Sequence, residues 1–367
     1  MRAAVFERPG SPLTIENLEI AEPRDNEVLV RMAASGVCHS DYHVVIGEWG
    51  SPAPIVLGHE GSGYVEAIGP NVRDVEIGDH VALAWTPSCR RCEHCVSGRP
   101  VLCTVAVETA YNSVLPDGTT RLSRTSGEAV YSYLSVGSLA EYAVVPEAGA
   151  IRLPKDTDPA LSALIGCAVS TGVGAAINTA KIRPGATVVV IGCGGVGLSA
   201  VMGAKISAAS RIIAVDVIPE KLELAGRAGA TDVINASQTD PVEAVFELTA
   251  GRGADYAIEA IGRARTIEQA YRTLTSGGVA VVAGQVPTGV TIEVDPMAMS
   301  GRELTLTGSN YGSVRPSVDF RRILGFHDSG LIDLNLLVDK RAPLDSINDA
   351  FDTLAAGTSA RTVITLG

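Results

Sequence analysis

Four cysteines, Cys89, Cys92, Cys95 and Cys103, crowd one short stretch of the chain. Two residues separate each of the first three, and seven lie between Cys95 and Cys103. Four thiolates so spaced close a tetrahedral zinc site and leave no ligand position for a substrate. Arg90 and Arg91 sit among them and favour the thiolate form electrostatically. The rival uses are an iron–sulfur cluster or two disulfides. The chain has 7 cysteines, an odd number, and is too long to need disulfide staples, which weighs against the second. His94 lies inside the lobe but is superfluous beside four sulfurs, and reads as a solvated loop residue. The expected role is structural, the metal standing in for a core that residues 86–106 are too few to form.

Three further segments carry ligand chemistry: Gly36-Val37-Cys38-His39-Ser40-Asp41-Tyr42-His43, Gly58-His59-Glu60 and Gly166-Cys167. Cys38, His59 and Cys167 are the residue types of a Cys₂His zinc site with one open position. They are far apart in the chain, and spacing alone does not assemble them.

A third chemistry sits at Gly192-Cys193-Gly194-Gly195-Val196-Gly197, which reads G-x-G-x-x-G at Gly192, Gly194 and Gly197. The apolar, β-branched run Val188–Ile191 precedes it and a helical stretch follows. Glycines there permit a tight turn and close approach of backbone to a pyrophosphate, whose charge meets a helix N-terminus. Asp216 follows Gly197 by 19 residues, where an acid accepts hydrogen bonds from an adenosine ribose diol and repels a 2′-phosphate. NAD is therefore favoured over NADP, with Lys221 near enough to bear on that choice. Cys193 is a small apolar filler.

The elements needed to hold these groups fall into two textures. Residues 1 to about 150 read as short strands broken by Gly and Pro, with 119–128 a polar surface loop. Residues 169–311 alternate strand and helix, with about six strands from Val188–Ile191 to Leu304–Gly308, the pattern of a doubly wound parallel sheet. The tail from 312 holds a helix near 316–329 and ends on a strand at 362–366. With 46% apolar and 19% charged residues, the 367-residue chain forms packed cores. A net charge of −12 without a basic run argues against nucleic acid or an anionic membrane surface. No apolar run approaches bilayer length and no signal peptide is visible, so a cytoplasmic location is expected.

Taken together and in this order, the Cys38 segment, Gly58-His59-Glu60, the Cys89–Cys103 lobe, Cys167, the glycine fingerprint and Asp216 resemble the zinc-dependent alcohol dehydrogenases of the medium-chain dehydrogenase/reductase superfamily. The resemblance covers nearly the whole length. It implies an α/β protein: a GroES-like β-rich catalytic domain (1–168 and 312–367) and a Rossmann NAD-binding domain (169–311). It also implies NAD and two zinc ions per chain, one catalytic on Cys38, His59 and Cys167, one structural on Cys89, Cys92, Cys95 and Cys103. Asp41 resembles the carboxylate that orients the ligand imidazole, and Glu60 the acid that approaches the metal during ligand exchange. Ser40 resembles the hydroxyl that takes the alcohol proton, and His43 the outlet of that relay. His39 stands where the family often has an arginine at the cofactor pyrophosphate, Arg361 resembles the family's other pyrophosphate arginine, and Thr171 resembles the hydroxyl residue near the nicotinamide. Gly195 and Val196 belong to the cofactor turn.

Trp49 and Trp85 match pocket positions of the family, Tyr133 and Leu139 are candidates to join them, and large aromatics there suggest a primary or aryl alcohol as the small-molecule substrate. The implied reaction is reversible hydride transfer between alcohol and NAD in a cleft that excludes water. A thiol-dependent formaldehyde dehydrogenase of glutathione or mycothiol type is the alternative on the same fold. Arg121 or Arg124 would then supply a cationic mouth for the thiol's carboxylates. A non-catalytic zinc-binding module is the remote alternative. The family implies a homodimer, with a tetramer possible, paired through the edge strand near 304–308.

Overall fold

The computed structural model describes residues 1–357 and 360–367. The chain divides into two compact units. The first comprises Met1–Cys167, Arg315–Leu324 and Val338–Gly367, the second Ala168–Val314 and Gly325–Leu337.

The first unit is built on the strand Glu27–Gly36, whose ten residues are mostly buried. Glu60–Ile68 pairs antiparallel along one side of it. Tyr142–Pro146 and the C-terminal strand Thr362–Thr365 share the other side. His80–Leu83, Ala150–Arg152 and Lys340–Pro343 complete a seven-stranded sheet. A second, six-stranded sheet of short strands runs from Thr14–Asn17 through Arg2–Phe6, Ile55–Val56, Ala129–Ser132 and Leu122–Ser123 to Glu19–Ile20.

Two consequences of this pairing matter for chemistry. Glu27–Gly36 and Glu60–Ile68 begin and end so that Gly36 faces Glu60, which sets the Cys38 and His59 segments side by side. The returning tail pairs Val363 with Gly36, and the Val37 N–H donates to the Thr362 carbonyl at 3.0 Å. Arg361 therefore arrives beside Cys38, although 323 positions separate them.

The second unit is a six-stranded parallel sheet. Across it the strands run Asp232–Asn235, Arg211–Asp216, Thr187–Ile191, Ala254–Glu259, Leu274–Val282 and Thr305–Gly308. Numbered in chain order that is 3-2-1-4-5-6, the Rossmann arrangement. The central strands Thr187–Ile191 and Arg211–Asp216 are apolar on both faces because helices cover both, whereas the edge strands Asp232–Asn235 and Thr305–Gly308 are mostly unburied. Val189, Ile191, Ile213, Val215, Ala257 and Ala280 form its core. The crossover helices have local start signals: Pro219 opens Pro219–Ala228, and Asp240 caps Pro241–Leu248 by accepting from the Val242 and Glu243 N–H groups.

Three expectations are corrected. Residues 119–128 are not simply a surface loop. Leu122–Ser123 is a strand, and Arg121 is buried because Glu27 and Asp117 neutralise it there. The tail does not return whole to the first unit: Gly325–Leu337 belongs to the second, where its turn Leu334–Leu337 packs on helix Pro219–Ala228. Lastly, the helical run Pro159–Ala180 is long and apolar enough to cross a membrane, contrary to the reading of apolar runs, but 94% of its apolar window is buried inside the protein. It is a core helix, its apolarity serving packing rather than lipid.

Candidate functional site

Helix His39–Val45 presents most of the reactive groups. Cys38 is its N-cap, and Asp41, at the third helical position, accepts the Cys38 N–H on Oδ2 at 3.3 Å. Asp41 Oδ1 accepts the Gly58 N–H at 2.8 Å and faces His59 Nδ1 at 3.2 Å. One fully buried carboxylate thus ties the helix start to the histidine loop. It also makes Nδ1 the protonated nitrogen of His59 and leaves Nε2 as a ligand. Gly58 takes φ +91°, and a Cβ there would press on Leu139, so glycine is required at this turn.

Cys167 reaches the same place from a π-type turn, Ile165–Val169, that widens the helical run begun at Pro159–Leu164. Gly166 is needed because a Cβ would crowd the Leu83 carbonyl. One donor atom each from Cys38, His59, Glu60 and Cys167 lie within 4.8 Å of one another, and all four residues are buried.

The electrostatics of this cluster call for a cation. The mutual hydrogen bond of Cys38 and Cys167 pulls the Cys38 thiol well down and pushes Cys167 well up. Burial disfavours a charged His59, yet the charges of Asp41 and Cys38 outweigh it and raise the imidazole well above its usual range. Burial pushes Glu60 up to about 7 against the opposing pull of Arg361. Two sulfurs and an imidazole packed together in a dry site suit zinc, which replaces those protons with one divalent charge.

The four-cysteine lobe fits zinc as well. Zn–S bonds of about 2.3 Å in a tetrahedron place sulfurs about 3.8 Å apart. Cys92 and Cys95 are 3.5 Å apart, Cys89 and Cys95 4.0 Å. Backbone N–H groups of Cys89, Cys92 and Ala106 point at sulfur, as expected where thiolates are to be held. Hydrogen bonding from the Cys95 backbone pulls Cys92 down to about 6, whereas burial pushes Cys95 up to about 12. His94 lies on a short helical turn, Glu93–Val96, and is half-buried rather than in a solvated loop.

In the second unit the glycine fingerprint performs three separate tasks. Gly192 has φ +94° and closes the turn after strand Thr187–Ile191. A Cβ at Gly197 would overlap the Gly192 carbonyl, so this glycine is needed for helix-to-turn packing. At Gly194 a Cβ would meet nothing within 4 Å. That open cradle lies at the cap of the twelve-residue helix Gly195–Ile206, where a pyrophosphate would be received. Val196 presents its carbonyl to Gly172, the neighbour of buried Thr171. Asp216 Oδ2 accepts the Cys193 N–H at 2.7 Å, and Oδ1 accepts those of Val217 and Ile218 at 2.7 and 3.1 Å. Both oxygens keep lone pairs for a ribose. Lys221 lies on the following helix, close enough to act on Cys193, whose thiol burial pushes up strongly. Cys193 is thus inert.

The remaining sequence-derived residues fall as follows. Ser40 lies in the first turn of its helix, its hydroxyl 3.7 Å from Cys38 Sγ, and His43 is one turn on. His39 opens the helix, edge-on to Tyr42 at 6.5 Å. Trp49 stacks on His43 at 4.5 Å. Tyr133 stands edge-on to His59 at 5.8 Å and donates its hydroxyl to the Ser40 carbonyl at 3.2 Å. Trp85 is buried in the same unit. Leu139 has no exposed surface and packs behind Gly58, which makes it a support rather than a wall.

Arg361 is buried beside the candidate ligands. Its Nη2 donates to Glu60 Oε1 at 2.6 Å and lies 3.5 Å from Cys38 Sγ, while Nη1 donates to the Val37 carbonyl at 3.2 Å. Its Nε has no partner among the described residues. The guanidinium is a counter-charge to Glu60 beside Cys38. Two acids escaped the sequence reading. Glu48 meets His43, and buried Glu259 accepts from the Ile261 and Gly262 N–H groups and the Thr266 hydroxyl at the end of its strand. An acid closing the apolar run Ala254–Glu259 was the available signal for the latter.

Comparison with known proteins agrees with this construction. Residues 24–155 match the alcohol dehydrogenase GroES-like domain, and residues 195–328 the zinc-binding dehydrogenase family. The S-(hydroxymethyl)glutathione dehydrogenase of Escherichia coli O1:K1 is 39% identical over 99% of both chains. Among solved structures, an alcohol dehydrogenase zinc-binding domain protein of Burkholderia ambifaria superposes with a TM-score of 0.96 at 37% identity, covering 100% of this chain and 98% of that one. The benzyl alcohol dehydrogenase of Acinetobacter calcoaceticus does so with 0.95 at 34%, covering 100% and 99%. The chain belongs to the zinc-dependent alcohol dehydrogenases of the medium-chain dehydrogenase/reductase superfamily. It is a zinc-binding dehydrogenase with two groups of residues able to hold the metal, and solved neighbours of the same fold carry NADH or NADP.

Proposed function

We propose that this enzyme interconverts a primary or aryl alcohol and its aldehyde with NAD. The observation that carries the reading is the aromatic setting of the metal centre, with Tyr133 edge-on to His59 and Trp49 on His43. Segments 46–57 and 129–140, which supply those aromatics, contain one acid, Glu48, and no Lys or Arg. Such surroundings suit a neutral, apolar alcohol.

Cys38, His59 and Cys167 would hold the catalytic zinc, and Cys89, Cys92, Cys95 and Cys103 the structural one. Zinc at the first site supplies Lewis acidity, favouring loss of an alcohol proton or polarising a carbonyl. Asp41 fixes the ligating face of His59. Ser40 accepts the hydroxyl proton of the substrate and His43, one helical turn away, receives it in turn. The carbon-bound hydrogen leaves with its electron pair to NAD⁺, whose pyrophosphate and ribose the turn Gly192–Gly197 and Asp216 would bind, with Thr171 toward the nicotinamide and His39 and Lys221 as supplementary cations. Glu60, paired with Arg361, stands beside the ligands as the acid of ligand exchange. We place the enzyme in the cytoplasm as a homodimer joined through the edge strand Thr305–Gly308.

Thiol-dependent formaldehyde oxidation is the second reading, favoured by the 39% identity to the E. coli S-(hydroxymethyl)glutathione dehydrogenase. Against it stands the state of the two cations offered for thiol carboxylates. Arg121 is buried and bound to Glu27 and Asp117, and Arg124 is bound by Glu7, Glu16 and Glu128 together. Neither has charge to spare. NADH formation should be compared for benzyl alcohol alone and for formaldehyde with and without glutathione or mycothiol. Efficient turnover of benzyl alcohol supports the first reading. Turnover confined to formaldehyde plus thiol would replace it with the second.

A further inference from the structure

The loop after the relay helix wraps the His43 side chain in a way that no metal or cofactor site requires. Gly47, with φ +78°, reverses the chain, and the backbone N–H groups of Glu48 and Trp49 both donate to the His43 carbonyl, at 2.9 and 3.1 Å. That hook turns the two following side chains onto the imidazole of the residue they cap. Glu48 Oε2 lies 2.5 Å from His43 Nδ1. The Trp49 indole stacks on the ring at 4.5 Å with an interplanar angle of 24°.

A carboxylate only accepts, so the Nδ1 of His43 is the nitrogen that carries the hydrogen, and Nε2 keeps a lone pair. The indole denies the ring rotation about its long axis. A proton that reaches Nε2 makes an imidazolium whose charge is met at once by the carboxylate, as in the acid–base pairs of hydrolases. Glu48 is 39% exposed and His43 17%, which puts the pair at the solvent boundary where a relay must end.

From this geometry we propose that Glu48 is a positioning residue for proton transfer, holding His43 in the one tautomer and ring plane that let Nε2 accept. The proposal rests on the reading of His43 as the relay base. Without Glu48 the other tautomer becomes populated, and in that form Nε2 is already protonated and cannot take the substrate's proton.

The test uses zinc-loaded enzyme with NAD and benzyl alcohol. Glu48→Ala should lower kcat about tenfold while leaving KM for alcohol and NAD within about twofold. Glu48→Gln, whose amide oxygen still accepts from Nδ1–H, should recover most of the loss. In a double-mutant cycle, Glu48→Ala should cost nothing further once His43→Ala has been made. Nitrogen-15 spectra of histidine-labelled protein should show one His43 tautomer in the wild type and a mixture in Glu48→Ala. The proposal is overturned if His43→Ala lowers kcat and Glu48→Ala does not, or if the two losses multiply. If His43→Ala itself turns over like wild type, the relay reading falls and takes this proposal with it.

Discussion

Asp41 Oδ1 and His59 Nδ1 face each other at 3.2 Å, fully buried, and the same oxygen accepts the Gly58 N–H at 2.8 Å. The contact decides which imidazole nitrogen meets the metal. It also makes the position of the histidine loop depend on the helix that carries Cys38.

Removing that orientation should cost metal rather than fold. In Asp41→Asn, affinity at the Cys38 site is expected to fall about 10–100-fold. Competition with a graded series of chelators, reading zinc release per chain, checks this. The zinc of the cysteine lobe should come off at the wild-type chelator strength.

Two glycines a few residues apart should fail in different ways. Gly197→Ala forces a methyl into the Gly192 carbonyl, and a thermal melt should show destabilisation on the order of 1–3 kcal/mol. Gly194→Ala meets open space and should melt like wild type, yet bind NAD about tenfold more weakly in a fluorescence titration, because its methyl occupies the cofactor's approach. Equal NAD affinity in Gly194→Ala would mean that the pyrophosphate lies elsewhere.

Asp158 caps the helix that leads to Cys167, accepting the Ala160 N–H at 3.0 Å, and pairs with Arg341. Arg341 holds its carboxyl below the usual range. A depressed folded pKa stabilises above the unfolded value, about 4, and that contribution is lost as pH falls through the folded value. Asp158→Ala should therefore cost about 1 kcal/mol at pH 7. Melts repeated at falling pH should show the difference shrinking below about pH 4. A gap that widens with acid would contradict the assignment.

Arg361 and Glu60 form an ion pair closed to solvent. Deleting the cation strands a buried carboxylate, so Arg361→Ala should lose about 3–5 kcal/mol in urea unfolding. Adding Glu60→Gln should restore part of that. If Arg361→Ala instead keeps full stability and loses only NAD affinity, the side chain serves the pyrophosphate after all.

How much of this was legible depended on range. The strands of the second unit announce themselves because burial on both faces demands uninterrupted β-branched runs such as Val188–Ile191. The glycine turn and Asp216 follow within a single strand–helix–strand unit. The metal centre was reached only through resemblance, since Cys38, His59 and Cys167 carry no mutual spacing. What stayed hidden are pairings made by sheet topology. Glu60 and Arg361 stand 301 positions apart, and Arg121 finds Glu27 across 94, so a polar stretch at 119–128 read as surface. Glu48 was missed for the opposite reason: it is near His43 in the chain, but only the backbone hook turns it back onto the ring.

Zinc content per chain tests the central claim most directly. Plasma emission on fully folded, dialysed wild type should give two zinc ions per polypeptide, and one for Cys167→Ser with the fold intact and activity gone. An active wild-type enzyme holding a single ion, kept in Cys167→Ser and released only on loss of Cys92, would contradict the account.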